Sequence, residues 1–116
     1  MYTRFEIIDK ENPNKTYGFL IGLSKIGIDE KFVDDLTENL DTYLNIPDFY
    51  YLKSKKKQKN VFAYFTELGL KRFQHDIEKI CKVIKENGYE VIEIKQNKVG
   101  TARLIYEDKY QALIRR

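Results

Sequence analysis

The long amphipathic segment between Thr66 and Gly88 constrains the fold of this chain most strongly. Its apolar residues recur at helical spacing and form one stripe: Leu70, Phe73, Ile77, Ile80, Cys81 and Ile84. Thr66 is a suitable N-cap, and Gly88 can adopt the left-handed conformation that often ends a helix. The segment therefore predicts a helix that buries one face against another layer of structure.

A second amphipathic helix is predicted to begin near Ile28 and to end before Pro47, because proline disfavours helix at the preceding residue. Ser24 or Asp29 is a candidate N-cap. The apolar stripe of this helix consists of Phe32, Val33, Leu36, Leu40, Tyr43 and Leu44. Acidic residues occupy the opposite side, which predicts a solvated face.

Alternating or continuous apolar runs bounded by turn residues predict seven strands. These are Tyr2–Asp9, Thr16–Leu23, Phe49–Lys53, Asn60–Phe65, Tyr89–Gln96, Thr101–Tyr106 and Tyr110–Ile114. The order β-β-α-β-β-α-β-β-β predicts an α+β fold, with an antiparallel sheet and two helices on one face. From the second strand onward it matches the ferredoxin-like β-α-β-β-α-β core, to which an N-terminal strand and C-terminal hairpin strands are added.

The chain has 116 residues, which predicts a single globular domain spanning residues 1–116. Its single histidine, His75, lies beside the apolar stripe, and its single cysteine, Cys81, lies on that stripe. One cysteine and one histidine cannot supply a zinc site of the usual types, and no nucleophile has an oriented base. We therefore expect no metal, no cofactor and no enzymatic activity.

A cytoplasmic location is expected for this protein. The lone Cys81 permits no internal disulfide, as is usual in reducing compartments. The segment Met1–Glu6 has no apolar core typical of a leader peptide, and the run Tyr17–Leu23 is too short to cross a bilayer. The bias toward Lys, Ile, Asn and Tyr is typical of AT-rich coding sequences, as in many bacteria, phages and mobile elements.

A basic run suggests a binding surface more directly than any other part of the chain. Its lysines are Lys53, Lys55, Lys56, Lys57 and Lys59, with no acidic residue among them. Aromatic residues flank the run on both sides, namely Tyr50, Tyr51, Phe62 and Tyr64. Lysines can neutralise phosphates and aromatic rings can stack on bases, so the pattern predicts a hairpin that binds single-stranded nucleic acid.

The stretch Lys59–Phe65 resembles, over a short overlap, the central-strand motif of RNA-recognition modules. Its Phe62-Ala63-Tyr64 core has the aromatic-small-aromatic order of that motif. The glycine expected after the leading basic residue is missing, and Glu67 stands where a final aromatic is expected. The resemblance implies stacking by Phe62 and Tyr64, and it does not assign the chain to that family.

A protein partner is the alternative, because the chain has a high content of tyrosine and two oppositely charged regions. The acidic residues Asp34, Asp35, Glu38 and Asp41 lie on the first predicted helix. An adaptor or an inhibitor would have a surface of this kind. A homodimer formed by edge-to-edge pairing of strands is compatible with either class of partner.

Overall fold

The computed structural model describes residues 1–44 and 61–115. Its elements in chain order are β1 (Tyr2–Ile8), β2 (Thr16–Gly18), α1 (Phe19–Lys25), α2 (Glu30–Tyr43), β3 (Val61–Phe65), α3 (Glu67–Arg72), α4 (Gln74–Glu86), β4 (Val91–Gln96), β5 (Leu104–Glu107) and β6 (Gln111–Arg115). The predicted α+β class with an antiparallel sheet is confirmed. The predicted strand Phe49–Lys53 and the hairpin loop after it lie outside the described residues.

Strand β1 lies at the centre of a curled antiparallel sheet. On one side it pairs with β4 from Tyr2 to Ile7. On the other side it pairs with the short β2 near its carboxyl end and with β3 at Thr3. Strands β6 and β5 continue the sheet beyond β3. The N-terminal strand, which we expected to extend or cover a core formed by later strands, therefore organises the sheet.

Residues of β1 alternate between the two faces of the sheet, as its period-2 sequence predicts. Ile7 is fully buried on the face that packs against the helices, which we call the helix face. Arg4 and Glu6 lie on the opposite face, which we call the open face. The same alternation on β3 places Phe65 on the helix face and Tyr64 on the open face.

The prediction of a strand over Thr16–Leu23 is wrong beyond Gly18, because α1 begins at Phe19. A short apolar run cannot be assigned to strand or helix by periodicity alone. In the helix, Phe19 and Leu23 are buried one turn apart, whereas Ile21 is 70% exposed. Gly22 packs against the Ile7 side chain so closely that a Cβ atom would overlap it. Tertiary packing on β1 thus favours the helix.

A ferredoxin-like topology is not confirmed. That arrangement needs Tyr17–Leu23 and Val61–Phe65 as the two central strands. Among the described residues, β3 pairs with β1 and β6. The residues after Gly18 form α1 and pair with no described strand.

The predicted helix boundaries are largely confirmed. Asp29 caps α2 by accepting a hydrogen bond from the backbone N–H of Phe32, at 3.3 Å. Thr66 caps α3, and Gly88 has a φ of 82° after α4. The single long helix predicted from Thr66 is instead divided at Phe73, although the apolar stripe continues across the break. Its fully or nearly buried members are Phe73, Ile77, Ile80 and Ile84.

Two apolar clusters stabilise the fold on the two faces of the sheet. The larger cluster packs α1, α2 and α4 against the helix face around Ile7 and Phe65. The smaller cluster contains Tyr64, Ala112 and Ile114 on the open face. The sheet curls around this second cluster, and Tyr2 Oη of β1 donates a hydrogen bond to Glu107 of β5 at 2.5 Å.

Candidate functional site

Phe62 and Tyr64 lie on the open face, as the alternation of β3 predicts. Phe62 is opposite Ile114 of β6, and Tyr64 is opposite Ala112. Only 2% of Tyr64 is exposed, and its hydroxyl oxygen accepts a hydrogen bond from Gln96 Nε2 at 3.1 Å. The Tyr64 ring is therefore a core element of the second cluster, and no face of it is available for stacking in this conformation.

The Phe62 ring is partly buried beneath the Arg4 guanidinium group, whose central carbon lies 5.0 Å from the ring centroid. Arg4 Nη1 also donates a hydrogen bond to the Ala63 carbonyl oxygen at 3.0 Å. A cation over an aromatic face gains energy from the ring quadrupole. The Arg4 guanidinium therefore covers one face of the Phe62 ring, on which a base would otherwise stack.

Arg4 is anchored by a charge pair that sequence reasoning missed. Its Nε donates to Glu6 Oε2 at 2.6 Å, and Thr16 Oγ1 donates to Glu6 Oε1 at 2.6 Å. Glu6 is only 3% exposed. The i, i+2 spacing on one strand was a usable signal, because these two residues share a face. The open face therefore carries a buried, hydrogen-bonded ion pair.

The basic run and its nearest aromatic residues lie outside the described residues. These are Tyr50, Tyr51, Lys53, Lys55, Lys56, Lys57 and Lys59. The chain enters the segment from the end of α2 and leaves it at the start of β3. The predicted contact of these lysines with nucleic acid therefore stays a prediction.

Helix α2 brings the four predicted acidic residues to the surface. Asp34, Asp35, Glu38 and Asp41 are all exposed. Within residues 1–44 and 61–115, no ion pair joins any of them to a lysine or arginine. Asp41 accepts a hydrogen bond from Thr37 Oγ1 at 3.1 Å. In the described ranges these carboxylates therefore form no ion pair, and Asp35 shares an open groove with Lys79 and Lys82 of α4.

Phe32 and Tyr43 lie at the margin of the α2 stripe, not inside it as predicted. Phe32 is 48% exposed and Tyr43 is 45% exposed. The fully packed positions are Val33, Leu36 and Leu40. Residues 32, 35, 39 and 43 follow each other at spacings of three or four, so they form one row along the helix. The second row, 34, 38 and 41, is entirely acidic.

Cys81 and His75 occupy different environments on α4. Burial raises the pKa of the Cys81 thiol, which keeps it protonated at neutral pH. His75 is exposed. The described part of the chain contains no group of three or more histidine, cysteine, aspartate or glutamate side chains placed to hold a metal ion.

No protein-family model, curated protein or solved structure matches the chain. The helices in the described ranges are also too short or too polar to cross a membrane.

Proposed function

We propose that this chain is a small non-enzymatic binding protein whose partner is another protein, contacted through the surface of α2. We define the α2 surface as Phe32, Asp34, Asp35, Glu38, Asp41 and Tyr43. The observation that carries the proposal is the juxtaposition of two half-exposed rings with carboxylates that have no ion-pair partner among the described residues.

Exposed aromatic rings are the residues that interfaces use most, because they bury a large area at a small cost in side-chain entropy. Phe32 and Tyr43 lie on one row of α2, roughly three turns apart. A partner would cover this row with two apolar contacts, one on each ring, on either side of Asp35 and Asn39. The acidic row beside it would then face the rim of the interface.

The charge of the α2 surface specifies the chemistry of the partner. Carboxylates at the rim steer association and select for a positively charged surface. The partner is therefore expected to present lysine or arginine residues around an apolar patch. Its association rate should fall as the salt concentration rises.

Affinity capture with matched variants tests this proposal. The variant D34N/E38Q/D41N removes three charges from α2, and the control E11Q/E67Q/E90Q removes three exposed charges elsewhere. We expect a specific protein to be captured from the native host by the wild type and the control, and to be lost with the α2 variant. Equal capture by all three proteins would contradict the proposal, as would capture that is independent of salt.

Single-stranded nucleic acid is the second candidate ligand, and the uninterrupted basic run Lys53–Lys59 supports it. In this proposal the lysines contact phosphates, Tyr50 and Tyr51 supply stacking surfaces, and a base stacks on Phe62 only in place of the Arg4 guanidinium. Tyr64 contributes to the core of the sheet and supports the strand that carries Phe62.

Fluorescence anisotropy of labelled single-stranded RNA and DNA over a salt series tests the second candidate. The variant K55A/K56A/K57A is compared with K79A/K82A/K85A, which removes three exposed lysines from α4. Losing three phosphate contacts should lower the slope of log K against log salt by about 2 units. An unchanged slope, or an equal loss in both variants, would exclude the basic run as the specific contact.

A further inference from the structure

Strand β4 has a free edge along its whole length in the described part of the chain. It pairs with β1 and with no other described strand. The other described edges are weaker templates, because β2 has only three residues and β5 is distorted by a bulge between Leu104 and Tyr106. Unpaired N–H and C=O groups on an edge of regular geometry are a template for another strand.

The ladder between β1 and β4 shows which residues point their backbone groups outward. Ile8 N–H donates to the Glu90 carbonyl oxygen at 3.0 Å, and Ile7 is opposite Val91 in the same register. Hydrogen-bonded pairs alternate along an antiparallel ladder, so Ile92, Ile94 and Gln96 direct their backbone groups toward β1. Val91, Glu93 and Lys95 therefore direct theirs toward the free edge.

The two charged residues of this edge lie on the helix face, next to one another. Glu93 and Lys95 form an ion pair with 3.7 Å between Oε1 and Nζ, and both side chains are about half exposed. A charged side chain on an edge strand commonly discourages pairing. A pair of opposite charges has a different effect. It discourages every partner strand except one that places a positive charge opposite Glu93 and a negative charge opposite Lys95.

We propose that β4 pairs with β4 of a second copy of this chain, antiparallel and in the register centred on Ile94. In that register Glu93 of each copy is opposite Lys95 of the other, and both residues have outward backbone groups that can form a hydrogen-bonded pair. Ile94 is opposite itself on the open face. The proposal is independent of the ligand proposed above.

Neighbouring registers are disfavoured by charge. Shifting the centre to Glu93 places two glutamates opposite one another, and shifting it to Lys95 does the same with two lysines. Like charges directly opposite one another destabilise a strand pair. Registers centred between two residues would match an outward backbone group with an inward one, so they cannot form the ladder.

An open groove beside α4 supplies apolar surface for the same contact. Its volume is about 860 Å³, and its apolar lining residues are Phe5, Leu68, Leu70, Ile77 and Cys81. Phe5 of β1 is directly opposite Glu93 in the ladder, so one wall of the groove is a single strand away from the β4 edge. Burial of this surface adds to the backbone hydrogen bonds of the paired strands.

Charge exchange at the edge tests the register. Sedimentation velocity over a concentration series should show a dimer for the wild type. E93K and K95E should each weaken dimerisation about tenfold or more, because each places like charges opposite one another twice. The double variant E93K/K95E should dimerise again. An equimolar mixture of the two single variants should do so too, since the lysine pair of one chain then faces the glutamate pair of the other.

Two exposed residues outside β4, Glu11 and Lys31, supply matched controls, E11K and K31E, which should leave the dimer unchanged. Circular dichroism establishes that each variant is folded. A monomeric wild type at all concentrations would overturn the proposal. Dimers of E93K and K95E that are as stable as the wild-type dimer would overturn it as well, since the contact would then lie elsewhere.

A disulfide at the axis provides an independent test in the Cys81→Ala background. Ile94→Cys places two thiols at a non-hydrogen-bonded pair, where Cα atoms are about 4.5 Å apart and a disulfide can form. In Ile92→Cys the two thiols are separated by four residues along the strand, or about 14 Å. Covalent dimer is expected from Ile94→Cys alone. No covalent dimer from Ile94→Cys, or equal amounts from both variants, would overturn the register.

Discussion

Gly69 lies directly against the carbonyl group of Tyr110, and no space for a side chain remains between them. The same carbonyl oxygen accepts a hydrogen bond from the Thr66 N–H at 3.1 Å. Thr66 Oγ1 donates in turn to the Lys109 carbonyl oxygen at 2.8 Å and accepts from the Gly69 N–H at 3.0 Å. The start of α3 and the turn before β6 are therefore joined through one threonine and one glycine.

Gly69→Ala should destabilise the protein by about 1–3 kcal/mol, because the new methyl group overlaps backbone atoms that cannot move independently. Gly100→Ala is the matched control, since a Cβ at Gly100 has no atom within 4 Å. The control should change the free energy of unfolding by no more than about 0.5 kcal/mol. Urea denaturation measures both values. Similar stability of the two variants would contradict the close contact with Tyr110.

Tyr64→Ala should lower the free energy of unfolding by about 3–5 kcal/mol, as expected for removal of a buried ring. Tyr64→Phe should cost about 1 kcal/mol, because it removes only the hydroxyl that accepts from Gln96 Nε2. Thermal denaturation and nucleic-acid binding should be measured on the same preparations. A Tyr64→Ala variant with unchanged stability and lost binding would show that the ring is a ligand contact and not a core residue.

Arg4→Met should destabilise the protein by about 3 kcal/mol or more, because the Glu6 carboxylate then remains buried without its cation. The double variant Arg4→Met/Glu6→Leu should recover much of this loss, since no charge remains in the site. A double-mutant cycle with Glu6→Leu measures the coupling between the two residues. If the destabilisation of the double variant equals the sum of the two single-variant values, the ion pair contributes no interaction energy of its own.

The carboxyl group of Asp108 should contribute stability that depends on pH. Its burial alone would raise its pKa, but hydrogen bonds from Tyr106 Oη and from the backbone N–H groups of Tyr110 and Gln111 lower the pKa overall. A lowered pKa in the folded state stabilises the protein above the unfolded value of about 3.9. The contribution is lost as the pH falls below that value through the folded pKa.

The pH dependence can be measured by comparing the wild type with Asp108→Asn. The difference in free energy of unfolding should be constant at neutral pH and should shrink below about pH 4. Tyr106→Phe removes one donor to Asp108 Oδ2 and should move the Asp108 pKa, followed by NMR, back toward its ordinary value. A pKa that does not change in this variant would contradict the role assigned to Tyr106.

Sequence patterns over a few residues predicted helices and strands correctly where one physical signal dominated. The helix cap at Thr66 and the left-handed Gly88 were predicted correctly, because each depends on the chemistry of one residue and its immediate neighbours. For α2, the structure selects Asp29 from the two predicted candidate caps, Ser24 and Asp29. The strands β1, β3, β4 and β6 were predicted to within a few residues for the same reason. The buried stripe of α4 followed directly from its spacing.

The candidate site was predictable only in part. The acidic residues of α2 are exposed as the amphipathic pattern indicated, and Phe62 and Tyr64 do share a face. The sequence did not show that the open face of a curled sheet would enclose Tyr64, nor that Arg4 would cover Phe62. Both results depend on tertiary contacts between residues that lie far apart in the chain.

The α+β class, the helix caps and the alternation of each strand could be predicted from the sequence, because they follow from interactions over a few residues. The helix at Phe19–Lys25 and the central position of β1 depend instead on tertiary packing. An apolar run can satisfy its backbone as a strand or as a helix, and the choice depends on which surface is available to bury it. Here Ile7 of β1 supplies that surface, and the close approach of Gly22 to it favours the helix.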